Sequence, residues 1–309
     1  VGLMNDFVEG EKTPLNAYLT LAYGVHTAPE PNLADTPNVT GRHVLFPSVS
    51  LRAYRSLGSL PLGAVLRNAL PNLRLELYGD TDTKPLNKNP ALFVVDEKGE
   101  GEITAEPSRR DADAPFGKID DPLVLASRVR ESSADFVVVA LGDTSRLEAV
   151  RGSLLPSAYT QARNNALRRL NILLLILMAQ EKESTDILLA SAYPPREEIG
   201  IVGYWQRLTP VVAWGEHFSP GLLTSPTTRT EGLVANIDIA PTLLNLLEVD
   251  PPASMSGRPL RISSHSPDTA LRMALLARLD YLSQRNLQAL LYVTPVLFVL
   301  GAWGIGCAL

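Results

Sequence analysis

The last 23 residues, Leu287 to Leu309, contain no charged side chain, and no other stretch limits the possible folds as strongly. As a helix at ~1.5 Å per residue the run is roughly 34 Å long, against ~30 Å of bilayer hydrocarbon. It predicts a transmembrane helix over 287–309, with Tyr292 and Trp303 at the two interfaces. An amphipathic pattern over Thr269–Gln288 predicts a juxtamembrane helix at 266–286. The chain opens on Val1, and Leu309 still lies inside the apolar run, so it reads as a fragment cut at both ends, with further spans expected beyond Leu309.

The region 1–265 is long enough for one α/β domain with a substantial core. The net charge is −5 with both signs interspersed and no Lys/Arg run, which argues against a nucleic-acid partner. The lone cysteine, Cys307, sits in the apolar tail, so no disulfide frames the fold.

Within 1–265, short apolar strand patterns alternate with helical ones. Strands are expected at Val1–Met4, Leu73–Tyr78, Ala91–Asp96, Asp135–Leu141, Asp186–Ala190, Thr209–Trp214 and Gly232–Ala235. Helices are expected at Thr13–Gly24, Leu60–Leu70, Pro122–Arg130, Tyr159–Gln180 and Ile239–Leu247. The apolar run Leu170–Ala179 is too short to span a bilayer and reads as a helix end buried against a sheet. This alternation predicts an α/β fold: a mainly parallel sheet sandwiched by helices, followed by the C-terminal transmembrane helix. Such sheets bind ligands at the carboxyl ends of their strands.

Two stretches carry a resemblance to a known family. One is Leu208–Val249 with Met255–Leu260, sharpest at Asp238–Leu244 (Asp-Ile-Ala-Pro-Thr-Leu-Leu) and Ser256–Leu260 (Ser-Gly-Arg-Pro-Leu). The other is Thr13–Gly24. Together they resemble the alkaline phosphatase superfamily, which includes sulfatases, nucleotide pyrophosphatases and lipid-linked phosphoethanolamine transferases. The resemblance implies an alkaline-phosphatase-like domain over 1–265. It also implies two metal ions held by Asp and His at strand ends beside a Ser, Thr or modified Cys nucleophile. The metals lower the nucleophile's pKa and neutralise charge on the transferred group.

By this resemblance Thr13 stands where the nucleophile opens the first helix, although Thr before Pro is also an ordinary N-cap. Asn5 and Asp6 lie just beyond the position of the first metal-binding Asp, which Val1 occupies. Asp143 matches one carboxylate, but Arg146 replaces the His expected after it. Ala190–Pro194 carries neither member of the second Asp-His pair, and His217 lies near the place of the last His. The donors of a conventional two-metal centre are therefore incomplete, so no cofactor is expected, although a single divalent ion remains compatible. The polar residues left for ligand binding are Asn5, Asn16, Asp143, Arg146, Arg229 and Asp238. Arg146 and Arg229 suit a phosphate or carboxylate, or else salt bridges to Asp143 and Asp238. Asp238 also reads as the N-cap of the closing helix.

Arg272, Arg278 and Arg285 before the apolar run would place that side in the cytoplasm by the positive-inside rule, whereas the resemblance implies the extracytoplasmic face. The expected function is a membrane-anchored, non-catalytic binding or accessory module whose partners are the membrane and an anionic lipid or glycan. The competing expectation is a phosphoryl- or sulfuryl-group hydrolase or transferase using Thr13.

Overall fold

A computed structural model describes residues 1–7, 13–26, 37–46, 58–79, 81–83, 87–179, 185–194, 196–199, 202–205, 208–263, 268–280 and 282. The first half runs β1 (Gly2–Asn5), α1 (Pro14–Tyr23), β2 (Asn38–Thr40), β3 (His43–Leu45), α2 (Leu62–Ala69), β4 (Leu75–Gly79), β5 (Glu100–Glu102), β6 (Ser108–Arg110), β7 (Lys118–Asp120), α3 (Pro122–Glu131) and β8 (Phe136–Ala140). The second half runs α4 (Asp143–Val150), α5 (Pro156–Ala179), β9 (Ile187–Ala190), β10 (Arg196–Ile199), β11 (Val202–Trp205), β12 (Leu208–Trp214), β13 (Leu222–Thr224), β14 (Leu233–Ala235), α6 (Ile239–Leu246) and β15 (Arg261–Ser263). A last helix, α7, covers 269–280.

The predicted mainly parallel sheet does not form. The strands make small sheets, the largest having four strands in the order β14-β1-β12-β9. Among the described strand pairs β1–β14 and β4–β8 are parallel and the other seven are antiparallel, with one isolated parallel bridge between Tyr78 and Ala105. The cause is the connection, not the strands. A parallel neighbour needs a crossover, usually a helix, to return the chain. Between β9 and β12 the chain makes the β10–β11 hairpin instead, and β12 comes back antiparallel to β9. The strand expected at Ala91–Asp96 is also wrong: Asn89–Phe93 is a 3₁₀ turn with Pro90 in its first turn.

Among the described residues no helix is long and apolar enough to cross a membrane. The longest, α5, has 24 residues but carries Arg163, Arg168 and Arg169. The span expected at 287–309 lies outside the described residues. The run Leu170–Ala179 is buried on one face only. Leu173, Ile176 and Leu177 pack with Tyr78, Leu125 and Val139, while Ile172, Leu175 and Met178 face solvent.

α1 links two apolar clusters. Leu19, Ala22 and Tyr23 pack with Val44, Phe46 and Leu92, and Leu21 packs with Met4, Val211 and Val234 of the four-stranded sheet. In the third cluster α2 supplies Leu62 and Leu66, α6 supplies Ala240 and Leu244, and Met255 closes it. Burying side chains of this size contributes ~1.5–3 kcal/mol each.

Candidate functional site

The segment Asp238–Leu244 folds with Ser256–Leu260 as a latch. Asp238, fully buried between β14 and α6, accepts three hydrogen bonds. Its Oδ1 takes the Thr227 hydroxyl at 2.6 Å and the Arg258 N–H at 2.9 Å, and its Oδ2 takes the Ala235 N–H at 2.9 Å. The side chain therefore does not cap α6 as expected from the sequence; it closes the short 3₁₀ turn Asn236–Asp238 ahead of that helix. Thr242, one turn into α6, donates to the Asp238 carbonyl at 2.6 Å and accepts the Leu260 N–H at 2.9 Å.

The loop between them is seated by glycine. A Cβ on Gly257 would lie 2.0 Å from the Ile237 carbonyl oxygen, so only glycine lets the loop approach. Gly24, left-handed at φ 62°, ends α1 and offers its carbonyl to the Ser256 and Gly257 N–H groups at 3.0 and 3.1 Å. The Asp-Ile-Ala-Pro-Thr and Ser-Gly-Arg-Pro-Leu motifs thus lock α1, α6 and the 255–260 loop together.

Asp143 and Arg146 stand in a second buried network. Arg146 is 0% exposed, and its Nη2 donates to Asp120 Oδ1 at 2.7 Å and to Asp143 Oδ1 at 2.8 Å. Asp143 Oδ2 meets Arg169 Nε of α5 at 2.5 Å. The two carboxylates also trade backbone donors. Asp120 Oδ2 takes the Gly142 and Asp143 N–H groups at 2.8 and 2.9 Å, and Asp143 Oδ1 takes the Asp120 N–H at 2.9 Å. Burial, and then the nearby Asp143 charge, push the Asp120 carboxyl above its ordinary pKa. Burial works against the Arg146 charge, but Asp120 and Asp143 outweigh it and hold the guanidinium protonated. This network clips β7, the start of α4 and α5 to one another.

Thr13 is the N-cap of α1, its Oγ1 accepting the Asn16 N–H at 3.2 Å. Asn16 is buried in the first turn of that helix. Asn5 ends β1 opposite Ala235 of β14. The adjoining Asn236 is 0% exposed and donates from Nδ2 to the Phe7 carbonyl at 2.8 Å. The amide oxygens of Asn5 and Asn236 are buried and have no hydrogen-bond partner among the described residues. The Phe7 ring meets His26 edge-on at 5.0 Å, just past the carboxyl end of α1. Thr13 caps the other end of this 10-residue helix, ~15 Å away along the axis. The structure therefore does not draw all the predicted residues into one site: Asp143 and Arg146 belong to the β7–α4–α5 network, Asp238 belongs to the latch with Asn5 opposite its partner Ala235, and Thr13 and Asn16 open α1.

Arg229 is exposed on the 225–230 turn at φ 53°, its N–H bonded to the Ser225 carbonyl at 2.9 Å. Asp238, its suggested salt-bridge partner, is instead held by Thr227 and two backbone groups. His217 packs its Nδ1 against Asp186 Oδ2 at 2.6 Å, and Asp186 Oδ1 also accepts the His217 N–H at 3.1 Å. The hydrogen bond and the charge of Asp186 raise the imidazole pKa. Among the described residues no group of three or more His, Cys, Asp or Glu side chains is placed to hold a metal ion.

Sequence reasoning missed Asp120, Arg169 and Asp186. In Asp120-Asp121-Pro122 only Asp121 carries a local signal, as the N-cap of α3 accepting the Leu123 and Val124 N–H groups. A scan against protein-family models finds no match to this chain, and no curated protein matches its sequence.

Proposed function

We propose that this chain is a non-catalytic binding or accessory module in which positions resembling alkaline phosphatase superfamily functional residues serve as structural clips. The observation that carries this reading is the state of its carboxylates. Both oxygens of Asp238 and both oxygens of Asp143 are already taken by hydroxyl, backbone or guanidinium donors. Ligating a cation through them would strand buried donors, at ~1–3 kcal/mol each. Thr13 is likewise engaged as the cap of α1, its Oγ1 accepting the Asn16 N–H. The setting proposed with this reading is the extracytoplasmic side of a membrane, with an anionic lipid or glycan as partner.

The test is an assay of the full chain against aryl phosphate and aryl sulfate with added Zn²⁺ or Mn²⁺, beside Thr13→Ala. The expected result is equal, background turnover for both proteins. Turnover that vanishes in Thr13→Ala, or purification with stoichiometric zinc or manganese, would overturn the reading.

A further inference from the structure

We infer that α7 is a lipid-facing helix that lies along an anionic membrane surface. One face of α7 is seated on the fold. Met273 and Leu276 pack against Gly232, and Arg272 Nε reaches the Glu231 carbonyl at 3.4 Å. The leucines on the neighbouring face have nothing over them among the described residues. Leu271 is 66% exposed, Leu275 44%, Leu279 52% and Leu282 37%. At 3.6 residues per turn these four fall within an arc of about 80°. Arg278 and Arg272 lie about 20° beyond its two edges.

An apolar stripe bordered by arginines is the pattern of an interfacial helix. The leucines enter the acyl boundary while the guanidinium groups reach back to anionic headgroups. A protein occupant fits less well. A second copy of this face would set its arginines against one another. Two acids accompany the helix: Asp280 projects to the seated side and is half-buried, and Asp268 is tied down at the helix start, where its Oδ1 accepts the Leu271 N–H at 2.9 Å. The sequence beyond α7 points the same way, with no charged residue from Leu287 to Leu309.

This inference rests on the membrane setting proposed above and not on the absence of catalysis: a failed vesicle response counts against the membrane partner, whereas turnover lost in Thr13→Ala counts only against the non-catalytic reading. It is tested with the full chain carrying Cys307→Ser and Leu275→Cys, labelled with an environment-sensitive fluorophore. The vesicles are phosphatidylcholine alone or with one-third phosphatidylglycerol. The expected result is a blue shift with the anionic vesicles. That response should weaken about fivefold for each of Arg272→Gln and Arg278→Gln, and should fall with added salt. The same label at Leu155→Cys, an exposed leucine just before α5, should stay in water. A Leu275 probe that remains aqueous while the protein sediments with anionic vesicles would overturn the inference. So would a vesicle-independent shift that grows with protein concentration, which would assign the stripe to a second copy.

Discussion

Asp120 and Arg146 form a salt bridge of 2.7 Å in the protein interior, with the guanidinium wholly shielded from water. Removing one partner of such a pair leaves an uncompensated buried charge, at ~3–5 kcal/mol. Arg146→Met is expected to lose that much stability, read as a lower urea midpoint. Adding Asp120→Leu should not restore it, because the Gly142 and Asp143 N–H groups would then lose their acceptor. Recovery in the double variant would show that the pair matters only through its charges.

Asp238→Asn tests the latch. The amide retains shape but replaces one acceptor oxygen with a donor facing another donor. The variant is expected to lose about 2–3 kcal/mol. Hydrogen exchange should report the loss first at the Arg258 and Ala235 amides.

Gly257→Ala places a methyl group where the Ile237 carbonyl already stands. Overpacking of this kind costs ~1–3 kcal/mol, and thermal unfolding should show it. A neutral result would mean that the 255–260 loop can lift from α6.

The His217–Asp186 pair sets a pH dependence. The folded imidazole has a raised pKa, so its contribution to stability is complete below the ordinary histidine value of ~6.5. It is lost as pH rises through the higher folded value. NMR titration of His217 should give a midpoint above ~6.5 that returns toward it in Asp186→Asn. An unshifted midpoint in the parent protein would refute the pair.

Much of the element order was legible because it rests on local chemistry. Thr13-Pro14 and Gly24 bracket α1 as their capping preferences require, and Asp121-Pro122 opens α3. Strand direction was not legible. Leu208–Trp214 reads the same whether its neighbours run with it or against it, and the hairpin that decides the matter lies in the polar segment before it. The site was legible in part. The latch motif stood out as the place of sharpest resemblance, yet its residues tie α1, α6 and the 255–260 loop together. Arg146 was visible, but Asp120, 26 residues away and without a pattern of its own, became its partner only through the turn of β7.

The four-stranded sheet has a consequence for biosynthesis. β1 lies between β14 and β12, and neither neighbour exists until Leu208 and the residues after it have been synthesised. On the ribosome this strand must wait with both edges bare, and the α1 carboxyl end must wait longer still for Ser256 and Gly257. Closing loops this long is slow, and open strand edges invite aggregation. Nascent chains stalled before about residue 235 should therefore depend on chaperones, whereas chains that have cleared Leu260 should not.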